Sequence, residues 1–305
     1  MNHKVSAKLG KSKPPKAKIV FRHMGKAEKM EIASDDYAYD SARRGHLAIE
    51  ELRSVFEYAD LIYQLVQRDI VARYKRSVLG VAWTLLNPLG MMLVMTIIFS
   101  QLFHSVIGYP MYLLSGLIAW TFFSQSTSSS LQQTVWGSAL LHRIYIPRTT
   151  FVIAAIGTGL VNLLLSFVPL AVIMFMTSIS LQWSAIFLPV GILLLASFSL
   201  GVGLLLSAIT MYFPDTADMY QVALMAWMYL TPIIYPVEII PESYRDWLLY
   251  LNPMYYLIEI FRQPLYDGVF PAWPMLAMGT SISFLTLIVG WLVFSSKADE
   301  FTYRT

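Results

Sequence analysis

The chain has 305 residues, 56% hydrophobic and only 13% charged, where a soluble domain carries roughly 25% charged residues. Its formal net charge of +3 averages two unlike parts, because all but six of the 22 Lys and Arg lie in residues 1–76; the six are Arg143, Arg148, Arg245, Arg262, Lys297 and Arg304. Such a composition excludes a soluble globular protein and indicates an integral membrane protein with a polar amino-terminal arm, while the lack of cysteine excludes disulfides and thiolate metal sites.

Residues 1–45 form the arm, which is Lys-rich, poor in large apolar residues and expected to be disordered. It has no apolar core of the kind a secretory signal needs. Gly10-Lys11-Ser12 imitates the end of a phosphate-binding loop, but Val5 stands where the motif requires its first glycine, so ATP is not bound by this route. In residues 46–76, Leu52, Val55, Phe56, Ala59, Ile62, Val66 and Ile70 recur at steps of three and four. That spacing predicts an amphipathic helix in the membrane interface, serving as a lipid anchor or as a docking surface for a cytoplasmic partner. It runs into Arg68, Arg73, Lys75 and Arg76, after which the charges stop.

A spanning helix needs about 20 mostly apolar residues. Residues 81–103, 111–135, 150–177, 185–211, 217–235 and 275–294 qualify. Six spans place both termini on one side. The arm, the loop 137–149 and the tail 297–305 carry Lys and Arg, whereas loops 104–110 and 178–184 carry none. By the positive-inside rule both termini are cytoplasmic. The expected fold is therefore an all-α membrane protein with six transmembrane helices in residues 77–296, preceded by the interface helix.

Between the last two spans, "PESYRDWLLYLNP" and "PMYYLIEIFRQP" each run from one proline to another. Proline suits a helix's first turn and stops a helix before it. Each piece is too short to cross a hydrocarbon core of about 30 Å, so both are expected to be re-entrant helices on the outer side. Non-helical backbone at that depth is tolerated only against protein or a water-filled cavity. An outer gate is one reading, with Glu238, Glu242, Tyr244, Arg245, Glu259 and Arg262 near water or paired; an amphipathic cap is the other.

Catalytic groups are hard to place. None of the five histidines falls in the middle of a span, and no acid does either, so no proton relay is expected. The spans carry uncharged polar groups instead. In "SQSTSSSLQQT", residues 124–134, only Leu131 is apolar. Small residues promote close helix packing; equally, Ser124, Ser126, Ser128 and Gln132 suit a wall for neutral, hydroxyl-rich cargo. Trp120, Phe123, Tyr220, Trp227 and Tyr229 offer rings that stack on sugar faces or anchor the spans at the interface.

Four stretches in order resemble one family. "RDIVARYKRSVLGVAWTLLNPLGMM", "YPMYLLSGLIAWTFFSQ", "LLHRIYIPR" and "LTPIIYPVEIIPESYRDWLLYLNPM" are similar to the membrane subunits of ABC-2-type exporters, especially those for lipid-linked capsule, O-antigen and teichoic acid. The resemblance covers about residues 45–300. It implies a homodimer in the plasma (inner) membrane enclosing a conduit, with two copies of a separate ATPase that alone binds ATP and Mg. No cofactor or metal is expected on this chain, and no nucleic acid among its partners. The resemblance places ATPase coupling at Leu141, His142, Arg143, Ile144 and Tyr145 together with the interface helix. Arg68, Arg73, Lys75 and Arg76 would then stand where the pyrophosphate of a polyprenyl-linked polysaccharide first arrives, or act only as topology determinants. The alternatives are an ABC-2 exporter of a drug or small lipid and a membrane polyprenyl glycosyltransferase. The glycosyltransferase would need converging acids or histidines, and only Asp215 and Asp218 lie close together on the inner side.

Overall fold

The computed structural model describes residues 47–75, 80–104, 106–136, 147–177 and 181–297, all within one unit, Gly45–Thr305. The predicted arm and most of the tail lie outside the described residues. Among the described residues the regular structure is entirely helical.

The expected interface helix is two helices, α1 (Leu47–Glu57) and α2 (Ala59–Lys75). Tyr58 joins them without breaking the ladder, since its amide reaches the Ser54 carbonyl and its carbonyl accepts from Ile62. The joint divides the apolar face. Ile62 and Val66 pack with Leu61 and Leu65 against Phe151 and Ala154, whereas Phe56 stays 76% exposed, with Leu52 exposed beside it. Two bonds fix α1 elsewhere: Trp291 Nε1 donates to the Ala48 carbonyl at 3.0 Å, and the Thr149 hydroxyl to Glu51 at 2.8 Å.

Next come α3 (Gly80–Phe99) and α4 (Tyr109–Trp136). At 1.5 Å per residue, α4 is about 42 Å long. Gly108, at φ 67°, makes the left-handed turn before it, and its carbonyl accepts the amides of Met111 and Tyr112. The stretch expected over 150–177 is divided into α5 (Thr149–Leu165) and α6 (Phe167–Thr177). Pro169, in the first turn of α6, has no amide to continue the ladder from α5. A tight turn, Trp183–Phe187, leads into α7 (Leu188–Thr210).

Helix α8 (Thr216–Leu230) stops short of the predicted 235. Thr231 is extended at φ −100°, ψ 132°, as a residue before proline is pushed to be. Two short helices follow, α9 (Glu242–Tyr250) and α10 (Pro253–Arg262), each opening at the proline the sequence indicated. The last helix is α11 (Trp273–Lys297). Among the described residues three stretches are long and apolar enough to cross a membrane, Thr149–Thr177, Trp183–Thr210 and Trp273–Lys297. In α4 the serine and glutamine run dilutes the apolar character, and α8 has only 15 residues.

Helix α4 is the axis of the molecule, with α3, α5, α7, α8 and α10 packed around it. Its residues from Met111 to Trp120 are all buried. Beside this core α7 and α11 make the most extensive helix pair. A Cβ at Gly290 would overlap the Gly201 carbonyl, and one at Gly201 would come within 2.6 Å of the Leu287 amide nitrogen. Glycine at both positions lets the two backbones touch.

Candidate transport path

Helix α4 has two unlike polar faces. Thr121, Gln125, Ser128 and Gln132, at steps of four, three and four, fall on one side, where the first three are half-buried and Gln132 is exposed. Half-buried Ser124 and Ser129 flank them. On the opposite side Ser126, Thr127, Ser130 and Thr134 are buried. Most of these hydroxyls bond within their own helix: Thr127 donates to the Phe123 carbonyl at 2.7 Å, Ser130 to Ser126 at 2.8 Å and Thr134 to Ser130 at 2.8 Å. Their small size matters more than their polarity, because a Cβ at Gly159 would collide with Ser126 Oγ and one at Gly203 would sit 3.1 Å from Ser130 Oγ. The polar run thus packs on one side and presents an open, charge-free surface on the other.

The aromatics proposed for the wall lie mostly inside. Phe123 packs edge-on to Trp227 with ring centroids 5.3 Å apart, and Trp120 meets the same indole at 6.2 Å. Trp120, Phe123 and Tyr220 are buried. The Tyr220 hydroxyl lies 2.8 Å from that of Thr127 and ties α8 to α4. Trp227 is half-buried and Tyr229 exposed. In this conformation Gln132 and Tyr229 are exposed and Ser124, Ser128 and Trp227 half-buried, whereas Trp120, Phe123 and Tyr220 pack inside and buried Ser126 borders a cleft between α4 and α5.

Several long-range side-chain bonds converge on the end of α8. The turn that follows α8, residues 231–235, lies outside any helical ladder, and its carbonyls take partners from side chains elsewhere in the chain. Tyr109 donates to the Ile234 carbonyl at 2.7 Å and Tyr112 to that of Tyr235 at 3.1 Å. Arg262 reaches the carbonyls of Pro232 at 3.2 Å and Ile233 at 3.3 Å. Asn252 caps α10 by accepting from the Met254 amide at 3.1 Å. The same side chain accepts from Trp227 Nε1 at 2.9 Å and donates to Thr231 Oγ1 at 2.9 Å.

Arg262 is the centre of this arrangement. It is 1% exposed, the largest fully buried side chain among the described residues. Its guanidinium carbon lies 3.9 Å from the Tyr112 ring centroid, and Nη1 pairs with Glu259 at 2.8 Å. Gly116 makes the room, since a Cβ there would overlap Nη2. The sequence left Arg262 at an outer gate, near water or paired; in the structure it pairs with Glu259 and is buried against α4, where it reaches the carbonyls of the turn after α8. The signal was present as Glu259 and Arg262, three residues apart in an otherwise apolar helix.

The sequence profile of the ABC-2 type transporter matches residues 60–266. The chain belongs to the ABC-2 type transporter family. It is 31% identical over 257 residues to the O-antigen export system permease protein RfbA of Myxococcus xanthus, which covers 83% of this chain and 98% of that protein. It is 24% identical over 262 residues to the polysialic acid transport protein KpsM of Escherichia coli, covering 81% and 97%. With the capsule polysaccharide export inner-membrane protein CtrC of Neisseria meningitidis serogroup A it shares 23% over 226 residues, covering 69% and 81%. This ABC-2 chain is accordingly a membrane protein of transport-permease type.

The other predicted residues of the ABC-2 chain fall in three groups. Glu238, Glu242 and Tyr244 are exposed, while half-buried Arg245 bonds to the carbonyls of Glu238 at 3.2 Å and Ile240 at 3.0 Å. Glu238 lines a cleft of about 600 Å³ with Tyr112, Tyr266 and Asp267. Loss of solvent, and then the Glu259 carboxylate, pushes the Asp267 carboxyl up from its ordinary value, with Arg262 pulling it back. Arg68 is exposed and pairs with Asp69 at 2.8 Å; Arg73 and Lys75 lie in the last turns of α2. Arg76 and the loop Leu141, His142, Arg143, Ile144 and Tyr145 lie outside the described residues. Among the described residues no three His, Asp or Glu side chains form a metal-binding group.

Proposed function

We propose that the chain is the membrane-spanning permease subunit of an ABC exporter that carries a polysaccharide on a polyprenyl lipid from the cytoplasmic side across the inner membrane. The carrying observation is the similarity to polysaccharide export permeases over nearly their whole length, RfbA above all. The open face of α4 supports the same cargo, because hydroxyl and amide groups at Thr121, Gln125, Ser128 and Gln132 exchange hydrogen bonds with sugars and bring no fixed charge. A greasy small molecule would leave those groups without partners, which is costly.

In this reading two copies of the chain enclose the conduit between their α4 faces, and two copies of a separate ATPase hold the ATP and Mg. Helices α3, α4 and α8 join the three long apolar stretches to give six spans with both termini cytoplasmic. Residues 1–45 form a cytoplasmic arm, 46–76 the interface segment, 77–296 the transmembrane domain and 297–305 the tail. Leu141, His142, Arg143, Ile144 and Tyr145, with α1 and α2, receive the push of ATP binding. Arg68, Arg73, Lys75 and Arg76 meet the lipid pyrophosphate. Helices α9 and α10, with Glu238, Glu242, Tyr244, Arg245, Glu259 and Arg262, form the outer gate.

Deletion of the gene tests the cargo. The expected result is loss of a surface polysaccharide with its lipid-linked form accumulating inside, restored by the wild-type chain. Normal surface polysaccharide together with a new drug sensitivity would overturn it. Affinity purification in mild detergent is expected to recover an ATPase subunit in stoichiometric amount.

A further inference from the structure

Beside the open face of α4 lies a cleft of about 220 Å³ built from three helices. Gln125, Ser129 and Gln133 come from α4, Thr158 and Asn162 from α5, and Asp69 from α2. A narrower recess continues it past Gly159 to Thr121 and Ser166. A single buried water needs only about 10–15 Å³, so the cleft has room for a solute.

The lining specifies what kind of solute. Asp69 is its one acid, and that carboxylate is engaged: Oδ1 accepts from Arg68 at 2.8 Å, and Oδ2 from the Gln133 amide at 2.7 Å. Two wall atoms have no partner among the described residues, Gln133 Oε1 and Ser126 Oγ, the latter on a residue only 1% exposed. Buried polar atoms left unpaired cost free energy that a ligand with matching groups recovers. An apolar ligand would leave both unpaired. An ion would lose its hydration against a wall whose only acid is already paired. A pyranose ring carries neighbouring hydroxyls that each donate and accept, which is what amides and hydroxyls on two facing helices can meet.

We propose that this cleft is a subsite for one neutral sugar ring of the cargo, an inference that rests on the polysaccharide reading. The ring lies between α4 and α5, gives a hydrogen bond to Gln133 Oε1 and shares others with Gln125, Ser129 and Thr158. The polymer continues along the Thr121–Gln132 face.

Because the chain lacks cysteine, Ser129→Cys supplies a single reporter in the assembled transporter, and Thr158→Cys a second on the opposite wall. The measurement is the rate of reaction with N-ethylmaleimide in the presence of n-octyl β-D-glucopyranoside below its micelle concentration. An octyl chain with a phosphocholine head is the tail control. The glucoside is expected to slow both reporters at least threefold and the control to leave them unchanged. Gln125→Leu is expected to abolish the protection while the thiols still react. Equal slowing by both probes, no slowing, protection that survives Gln125→Leu, or thiols that do not react would each overturn the subsite. Surface polysaccharide is scored in the same strains. Intact export with no glucoside protection would therefore sink the subsite alone, and absent export by the wild-type chain would sink the cargo assignment.

Discussion

The two ends of α4 handle buried polarity in opposite ways. Toward Trp136 the buried groups are neutral hydroxyls, and Thr127, Ser130 and Thr134 return their bonds to their own helix. Toward Tyr109 they are a guanidinium and two phenols, and their bonds go to another part of the chain, the carbonyls of residues 232–235. Two side-chain bonds do leave the Trp136 half, Thr127 with Tyr220 at 2.8 Å and Gln133 with Asp69 at 2.7 Å, but the bonds inside the helix would survive a shift against its neighbours. The bonds to the distant turn would not. The Tyr109 end is therefore the tighter lock.

The largest expected effect breaks the lock. Arg262→Leu strands half-buried Glu259 and frees the buried Pro232 and Ile233 carbonyls. Removing one partner of a buried pair costs about 3–5 kcal/mol, to be read from denaturant unfolding of the purified protein. Adding Glu259→Gln removes the stranded charge and is expected to recover only part of the loss, since the carbonyls stay unpaired. Full recovery by the double variant would mean that the ion pair, and not the turn, is what Arg262 serves.

Next in size is the helix crossing. Gly290→Ala sets a Cβ against the Gly201 carbonyl, a backbone atom that no rotamer change can move aside, and overpacking of this kind costs about 1–3 kcal/mol. Asn252→Ala is expected to cost about 1 kcal/mol through the lost α10 cap, and more if its bonds to Trp227 and Thr231 hold the turn. An additional loss when Asn252→Ala is combined with Arg262→Leu, smaller than the sum of the two, would show that both act on one turn.

These sites differ in how far the sequence announced them. The starts of α9 and α10 were legible because Pro241 and Pro253 fix the first turn of each helix, whereas the stop of α8 was missed, the span having been read to 235 past Thr231-Pro232. The split at Tyr58 was not, since the apolar spacing runs unbroken through it; only the packing of Leu65 on Phe151 separates the halves. Serine and threonine at 124–134 could signal packing or lining, and the choice between them depends on Gly159 and Gly203, which lie on other helices. For the same reason the sequence left Arg262 open between water and a partner. The choice depends on carbonyls thirty residues earlier, outside its own helix.

The smallest effects separate the two faces of α4. Thr134→Val removes a buried hydroxyl bonded within its own turn and is expected to cost no more than the roughly 0.6 kcal/mol average of hydrogen bonds between membrane helices. Gln132→Leu alters an exposed side chain and is expected to leave stability within about 0.5 kcal/mol. Transport should rank the pair the other way. Gln132→Leu takes an amide from the proposed path of the polymer and should lower surface polysaccharide, whereas Thr134→Val should leave it unchanged. If Thr134→Val lowered export and Gln132→Leu did not, the conduit would run along the opposite face, and the hydroxyls treated as packing would have to turn outward when the transporter opens.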